Sequence, residues 1–432
     1  MALRLRLSQN WLVVLIGFTA LAVSFSSRGA LSISMPIWKT EFGWSRSFTS
    51  SIAAAALLMM AVVAPFAGNA IDRYGPRRLL SSGLLILGLG MSLVALISNA
   101  SQSWLLVVGF SLIGGLGFGI IAQHVVATTI ATRFTESRGL AIGIGTSGST
   151  AGQVALLPFL AAAIAAGSWR LGFAALGMTS LVLSPLVLLL VRPGTHRVVS
   201  NTASSKDTAI HRDSIADRLR LMAGSKTFHL PFWSYLICGF TTSGVVETHF
   251  LPFAALCGFG PVPSATAYGV LSGVNLIGMI GAGWLSDRVN RPVLLGGIYV
   301  ARVLCFLLLM FVDFSYPRLM LFAVLFGIFD YSTVPVTAAI LARSTGVRIL
   351  GLSMGVLSAG HAIGGALGAL AGGIVFDETG GYTILWYASI ALALVAAVMA
   401  TAVQDKPEQN WSCALNAGRY IKTVIVISRK WR

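Results

Sequence analysis

Charge is scarce in this chain. Acidic residues number 14 and basic residues 30 among 432, so only 10% of side chains are charged, against about 25% in an ordinary soluble domain. That deficit excludes a soluble globular protein, because a water-facing surface of this size needs more charge. Cysteine is scarce as well. Cys238, Cys257, Cys305 and Cys413 show no paired spacing, which excludes a disulfide framework and a zinc site. No Gly-x-x-x-x-Gly-Lys-Ser/Thr loop occurs, so no ATP-hydrolysing phosphate loop is encoded. Neither His-Glu-x-x-His nor a paired-Asp arrangement for an intramembrane protease is found, and the longest polar stretch is under 40 residues, too short for a sensor domain. No enzymatic activity and no cofactor are expected.

Apolar residues, by contrast, make up 56% of the chain, with 47 Gly, 14 Pro and 12 Met. Glycine and proline are commoner in membrane helices than in soluble ones. A spanning helix needs about 20 mostly apolar residues. Twelve such spans are read at 11–36, 47–71, 79–98, 104–131, 139–165, 170–191, 229–253, 265–285, 293–312, 318–342, 349–375 and 383–403. The fold class is therefore an all-α membrane protein of twelve helices. Arg4 and Arg6 before the first run imitate a signal peptide, but the run continues past Pro36 without a small-residue cleavage site. It is read as an uncleaved first helix.

The net charge of +16 is explained by where the charges fall. With the N-terminus inside, the interior loops and tails hold 24 Lys/Arg, the exterior loops four, and the spans two. This is the positive-inside pattern, so the basic balance reports topology and nucleic acid is not a partner. The expected location is a cell membrane, with both termini cytoplasmic and the lipid bilayer as surroundings.

A polar stretch at 192–228 separates two sets of six spans, 11–191 and 229–403, and a basic tail follows over 404–432. Within the linker, Asp213–Met222 reads either as an amphipathic helix on the inner membrane surface or as solvated chain. The two sets repeat each other. Gly68-Asn-Ala-Ile-Asp72-Arg73-Tyr-Gly75-Pro-Arg77-Arg78 after span 2 matches Gly283-Trp-Leu-Ser-Asp287-Arg288-Val-Asn290-Arg291 after span 8, at an offset of 215. Gly139-Leu-Ala-Ile-Gly143 opening span 5 matches Gly351-Leu-Ser-Met-Gly355 opening span 11, at an offset of 212. Two matches at nearly one offset indicate a duplicated six-helix unit, an architecture of secondary transporters with substrate held between the halves.

The loop signature Gly-x-x-x-Asp-Arg/Lys-x-Gly-x-Arg-Arg/Lys, matched at Gly68, Asp72, Arg73, Gly75, Arg77 and Arg78, resembles that of the major facilitator superfamily over about residues 11–403. The resemblance implies that Asp72, Arg73, Gly75, Arg77, Arg78, Asp287 and Arg288 gate alternation between two access states; the plainer reading is that the arginines anchor topology on anionic lipid. Asn290 replaces the second-copy glycine and is expected to tolerate a left-handed turn. Phe42-Gly-Trp-Ser-Arg46, Arg138-Gly-Leu-Ala141, Gly145-Thr-Ser-Gly148 and Trp169-Arg170 are similar to the monocarboxylate porter and oxalate/formate exchanger branch. The Gly-Pro motif of many drug/proton antiporters is absent from span 5, where Pro158 lies well after the glycines. Oxalate/formate exchangers carry a Lys in helix 11 and an Arg in helix 8; here span 11 has His361 and span 8 offers Asn275, which favours a monoanion over a dianion.

Ionisable side chains within spans are costly, about 2.5 kcal/mol or more each. The candidates are Arg28, His124, Glu247, His249, Arg302, Asp330 and His361. In the family, helices 1, 4, 7 and 10 line the cavity. Arg28, in the polar run Ser24-Phe-Ser-Ser27-Arg28-Gly29, reads as the carboxylate contact or as a snorkelling or structurally paired arginine. His124, next to Gln123, reads as an anion donor or as a histidine bonded to a carbonyl. Glu247 and Asp330 read as proton-coupling acids, or as partners of Arg302 in a structural salt bridge. Tyr331, Asn275 and His361 complete the expected substrate site. The expected function is transport of a small organic anion, a monocarboxylate, with protons or by exchange, by a chain acting as a monomer. Proton-driven efflux of a drug or metabolite is the alternative.

Overall fold

The computed structural model describes residues 2–44, 46–155, 169–191, 215–224, 226–313, 315–344, 349–403 and 405. Among them there is no strand. Ten helices are long and apolar enough to cross a membrane. They correspond to span 1 (Ala2–Phe42), span 2 (Arg46–Tyr74), span 3 (Pro76–Ala95), span 4 (Ala100–Ala131), span 6 (Trp169–Leu190), span 8 (Pro261–Ser286), span 9 (Arg291–Leu309), span 10 (Tyr316–Ser344), span 11 (Leu350–Thr379) and span 12 (Thr383–Thr401). Span 5 opens with Arg138–Thr146 and continues helical to residue 155; the rest of its expected length lies outside the described residues. Span 7 runs from Lys226 to Leu256, with a wide π-type turn at Phe240–Val246. The fold is all-α, with twelve helices in two repeated sets. Of the linker, residues 215–224 and 226–228 are described; of the tail, only Asp405.

Glycine positions the helices, and the repeat extends through the contacts they make. A Cβ on Gly148 or Gly152 would collide with the span 1 backbone at Phe18 or Ala22. Their counterparts 212 positions on, Gly360 and Gly364, meet span 7 at Phe232 and Leu236. Small residues let backbones approach closely where lipid supplies no hydrophobic drive between helices. Gly148 of the Gly145-Thr-Ser-Gly148 motif thus seats span 5 on span 1, while Gly145 meets Ile130 of span 4.

Two spans break. Span 4 leaves helical geometry at Ile121 (φ −95°, ψ 66°) and Ala122 (φ −113°, ψ 160°). Span 10 turns at Asp330, Tyr331 and Ser332. Backbone released at membrane depth is tolerated only where protein or a wet cavity satisfies it. At the second break Arg302 does so: fully buried, it donates to the Phe329 carbonyl (2.9 and 3.2 Å) and to the Asp330 carbonyl, and it also donates to Cys238 Sγ at 3.1 Å. This corrects one reading of the sequence, because Arg302 bonds the main chain of Asp330 and not its carboxylate. Each carbonyl left unsatisfied costs about 1–3 kcal/mol. Arg302→Met is therefore expected to lower Tm by many degrees and reduce the yield of monodisperse protein, and Arg302→Lys, which cannot fork across two carbonyls, is expected to restore little.

At the end of the bundle remote from the Asp72 motif, two of the branch-like motifs, the Phe42-Gly-Trp turn and Trp169-Arg170, converge. Glu41 accepts from Trp169 Nε1 and Arg170 Nη2, both at 2.7 Å, and Arg170 also reaches the Ile97 carbonyl at 2.7 Å. The Trp38 ring packs edge-on against Trp44 and Trp169, and Gly43 makes the turn at φ 69°. Burial pushes the Glu41 carboxyl up, but the bonds from Arg170 and Trp169 prevail and hold it below its usual value of 4.5. The stability of this clasp is therefore present above that usual value and lost as pH falls through the lower folded one. Thermal melts of the wild type and Glu41→Gln should differ at pH 7 and converge in acid below pH 4.5. The gap is expected to be small, because the pair is over a third exposed.

Candidate functional site

The polar residues within the bundle fall into two groups, one at the motif end and one at the centre. At the motif end, Asp72 closes span 2 and its carboxylate accepts the backbone N–H groups of Gly351 (2.9 Å) and Leu352 (3.0 Å). Asp287, closing span 8, accepts those of Gly139 (2.8 Å) and Leu140 (2.9 Å). The first turn of a helix presents unpaired N–H groups and positive dipole, so each acid caps the fifth helix of the opposite half, span 11 for Asp72 and span 5 for Asp287. The glycines make this possible: a Cβ on Gly68 would strike the Gly351 carbonyl, and one on Gly283 would strike that of Gly139. The two sequence repeats, read separately, are thus the two faces of one symmetric contact.

The arginines of the signature do other things. Arg77 donates to the Leu188 carbonyl of span 6 (2.9 and 2.6 Å), and Arg288 stacks over Trp284 at 3.9 Å. Gly75 adopts φ 77° before Pro76, the left-handed turn its residue type allows. Asn290 does not: at φ −61° its side chain caps span 9 by accepting from Val293 N at 3.2 Å. The expectation of a left-handed turn there fails because a side-chain cap replaces it. One partner was not anticipated. The linker helix Ile215–Ala223 buries Arg218 and Met222 against the protein; Arg218 Nη1 lies 3.4 Å from Asn69 Oδ1, and Met222 Sδ 3.9 Å from Ser353 Oγ. It touches span 2 of one half and span 11 of the other beside the Asp72 contact.

At the centre, Arg28 of span 1 is half-buried and stacks over Phe25 at 4.7 Å. Among the described residues, no carboxylate lies within ion-pair distance of it. From the other half, Glu247 of span 7 accepts from the Tyr331 hydroxyl at 2.6 Å. Asn275 of span 8 donates to Asp330 Oδ2 at 3.1 Å and accepts from Tyr331 N at 3.3 Å. Hydrogen bonds thus join Glu247, Tyr331, Asn275 and Asp330 in one group, with Arg28 of span 1 and Tyr268 of span 8 in its electrostatic neighbourhood. Tyr268 carries no sequence signature of its own, although it sits two helical turns before Asn275 and so on the same face of span 8.

The remaining candidates have other neighbours. Gln123 donates to Ser149 Oγ at 2.7 Å. His124 is buried beneath the Ala64 carbonyl, and neither ring nitrogen has a hydrogen-bond partner. His361 stacks on Tyr235 (5.0 Å) and faces Cys238. His249 binds the Ala369 carbonyl of span 11 at 3.0 Å and is structural. The central group is thus Arg28, Tyr268, Asn275, Glu247, Asp330 and Tyr331.

The family model described as Major Facilitator Superfamily matches residues 17–317 and 282–418. The chain belongs to the major facilitator superfamily. It is 26% identical over 90% of its length to an uncharacterized transporter of this type from Bacillus subtilis, covering 94% of that protein. It is 24% identical over 87% of its length to monocarboxylate transporter 13 of Rattus norvegicus, covering 84% of that protein. Among solved structures, a proton:xylose symporter of the superfamily aligns over 93% of this chain and 98% of its own, with a TM-score of 0.70 at 16% identity. A fucose transporter of the superfamily in its outward conformation aligns over 92% and 99%, with a TM-score of 0.70 at 15% identity. As a facilitator, the chain is a multi-pass membrane transporter, and Asp72 and Asp287 are the signature acids of its two halves.

Proposed function

We propose that this facilitator moves a small organic anion, a monocarboxylate, by alternating access, with a proton carried on Glu247 or Asp330. The observation that carries the reading is Arg28: a half-buried guanidinium on span 1 with no carboxylate at ion-pair distance among the described residues, while Glu247, Tyr331, Asn275 and Asp330 of the other half are hydrogen-bonded to one another. A guanidinium offers two parallel donors that match a carboxylate, and a buried cation left without an anion is costly. The relatives named monocarboxylate transporters support the same class. Glu247, bonded by Tyr331, supplies the protonatable group whose charge must be cancelled for the loaded site to close.

In this reading the 24 interior Lys/Arg put the Asp72 and Asp287 end at the cytoplasm, so the capped contacts close the inner gate. Opening inward requires both acids to leave their helix ends and the linker helix to part Arg218 from Asn69. Purified protein in vesicles with an imposed pH gradient tests the function. Acid outside should drive labelled lactate inward. Gradient-driven movement of substrate outward against proton entry would instead establish efflux and overturn the reading.

A further inference from the structure

We propose that a groove between spans 1, 3 and 6, at the motif end of the bundle, binds an anionic phospholipid, with an acyl chain in the groove and the phosphate on Arg77. The groove has a volume of about 180 Å³. Its floor is Ile16 of span 1, Leu84 of span 3 and Val187 of span 6, all buried, and its rim is Leu15, Leu186 and Leu190, all exposed. Thr19 is the one polar residue of the lining, and its hydroxyl already donates to the Leu15 and Ile16 carbonyls of its own helix at 3.1 Å. The lining therefore offers water nothing to bond. Apolar cavities of roughly 150 Å³ stay dry and take hydrocarbon ligands. A hydrocarbon chain is what a bilayer supplies to a groove with an exposed apolar rim.

The charge at the mouth selects the lipid. Arg77 lies seven residues before Leu84 in span 3, hence on the same face and two turns, about 10 Å, nearer the motif end. Across the seam its Nε and Nη2 donate to the Leu188 carbonyl of span 6 at 2.9 and 2.6 Å, between Val187 of the floor and Leu190 of the rim. Those bonds fix the guanidinium at the end of the groove. Its Nη1 makes no hydrogen bond to a described residue, and no described carboxylate lies within ion-pair distance. Arg78, exposed beside it, adds a second positive charge.

On the opposite wall Trp11 sits one turn before Leu15 on the same face of span 1. It is 41% exposed, and its ring stands edge-on to Phe134 at 5.4 Å. Tryptophan so placed marks the level of the lipid headgroups. An apolar trough that ends at that level beside a fixed guanidinium is complementary to a negatively charged phospholipid. Nη1 donates to a phosphate oxygen in a charge-assisted bond, while the ammonium of a zwitterionic headgroup meets two like charges. Once filled, the groove braces span 1 against the span 3 and span 6 pair, which Ser81 and Ser184 join at 3.0 Å.

The test is independent of the transported substrate. The full-length protein, delipidated in detergent, is offered an equimolar mixture of phosphatidylglycerol and phosphatidylcholine with identical chains. Native mass spectrometry then counts the lipids retained. The wild type should retain phosphatidylglycerol over phosphatidylcholine at least about fivefold, the effect of one arginine at an anionic headgroup. Arg77→Gln should remove the preference and Arg77→Lys should keep part of it. Arg318→Gln, at an exposed arginine on the far end of the bundle, should leave it unchanged. Leu186→Trp, which lays an indole over the groove without touching the Arg77 bonds, should lower retention of both lipids. Equal retention of the two lipids by the wild type would overturn the proposal, as would a preference that survives Arg77→Gln. Undiminished retention by Leu186→Trp would remove the groove from the site. Displacement of the lipid by an equal concentration of soluble glycerophosphoglycerol would also contradict it, because the anion would then bind without its chain.

Discussion

Arg28→Ala is expected to reduce carboxylate transport about 100-fold with the protein still folded. Truncating one side of a desolvated, hydrogen-bonded charge pair costs about 2–5 kcal/mol, and each 1.4 kcal/mol or so is a factor of ten. The side chain stacks on Phe25 and makes no ion pair with a described residue, so its loss removes little that holds the bundle together. Arg28→Lys should recover only a small part, because an ammonium presents one point charge where a carboxylate can take a planar fork. Initial uptake rates normalised to purified protein, with Tm as the folding control, check both. The contrast with Arg302 is instructive: the same residue type, fully buried and bonded to main-chain carbonyls, should show its loss as unfolding and not as lost selectivity.

Gly68→Leu is expected to abolish turnover by a different route. The new side chain would occupy the space of the Gly351 carbonyl, forcing spans 2 and 11 apart and pulling the Asp72 carboxylate from the Gly351 and Leu352 N–H groups. The cycle would then lack a state closed at this end. Gly283→Leu should do the same through Gly139 and Asp287, because the repeat makes the two contacts equivalent. Asp72→Asn keeps a weaker acceptor without the charge that meets the helix dipole and should slow turnover less. Accessibility of cysteines introduced near Asn69 and Ser353 to an impermeant thiol reagent reads the opening. Labelling should rise in both glycine variants, and an unchanged pattern would remove the glycine contacts from the gate. Arg218→Ala should raise it more modestly, since the linker helix braces only the Asp72 contact.

The sequence carried the fold because lipid leaves few alternatives: apolar length, basic loop bias and an offset near 212 specify twelve helices in two copies. The same offset holds at Gly148 and Gly360 and at Gly152 and Gly364, where it reports close contact between helices. The contact proposed as the inner gate was half legible. Asp72 and Gly351 could each be read as important, but the bond between them runs to main-chain N–H groups, which every residue possesses and no side chain announces. For the same reason Arg302 was recognisable as a costly charge while its carbonyl partners were not. In the central site the charged members stood out by their expense. Tyr268 did not, since a tyrosine in an apolar helix is ordinary. Gln123 and His124 follow the break at Ile121 and Ala122, where Gln123 bonds Ser149 and the His124 ring is buried without a hydrogen-bond partner.

Counterflow separates the cycle itself from any driving force. Vesicles loaded with unlabelled lactate and diluted into a trace of labelled lactate, at equal pH on both sides, should accumulate label transiently above its external concentration with the wild type. With Arg28→Ala they should show none. Equal overshoot by the two proteins would mean that carboxylates cross without meeting that guanidinium.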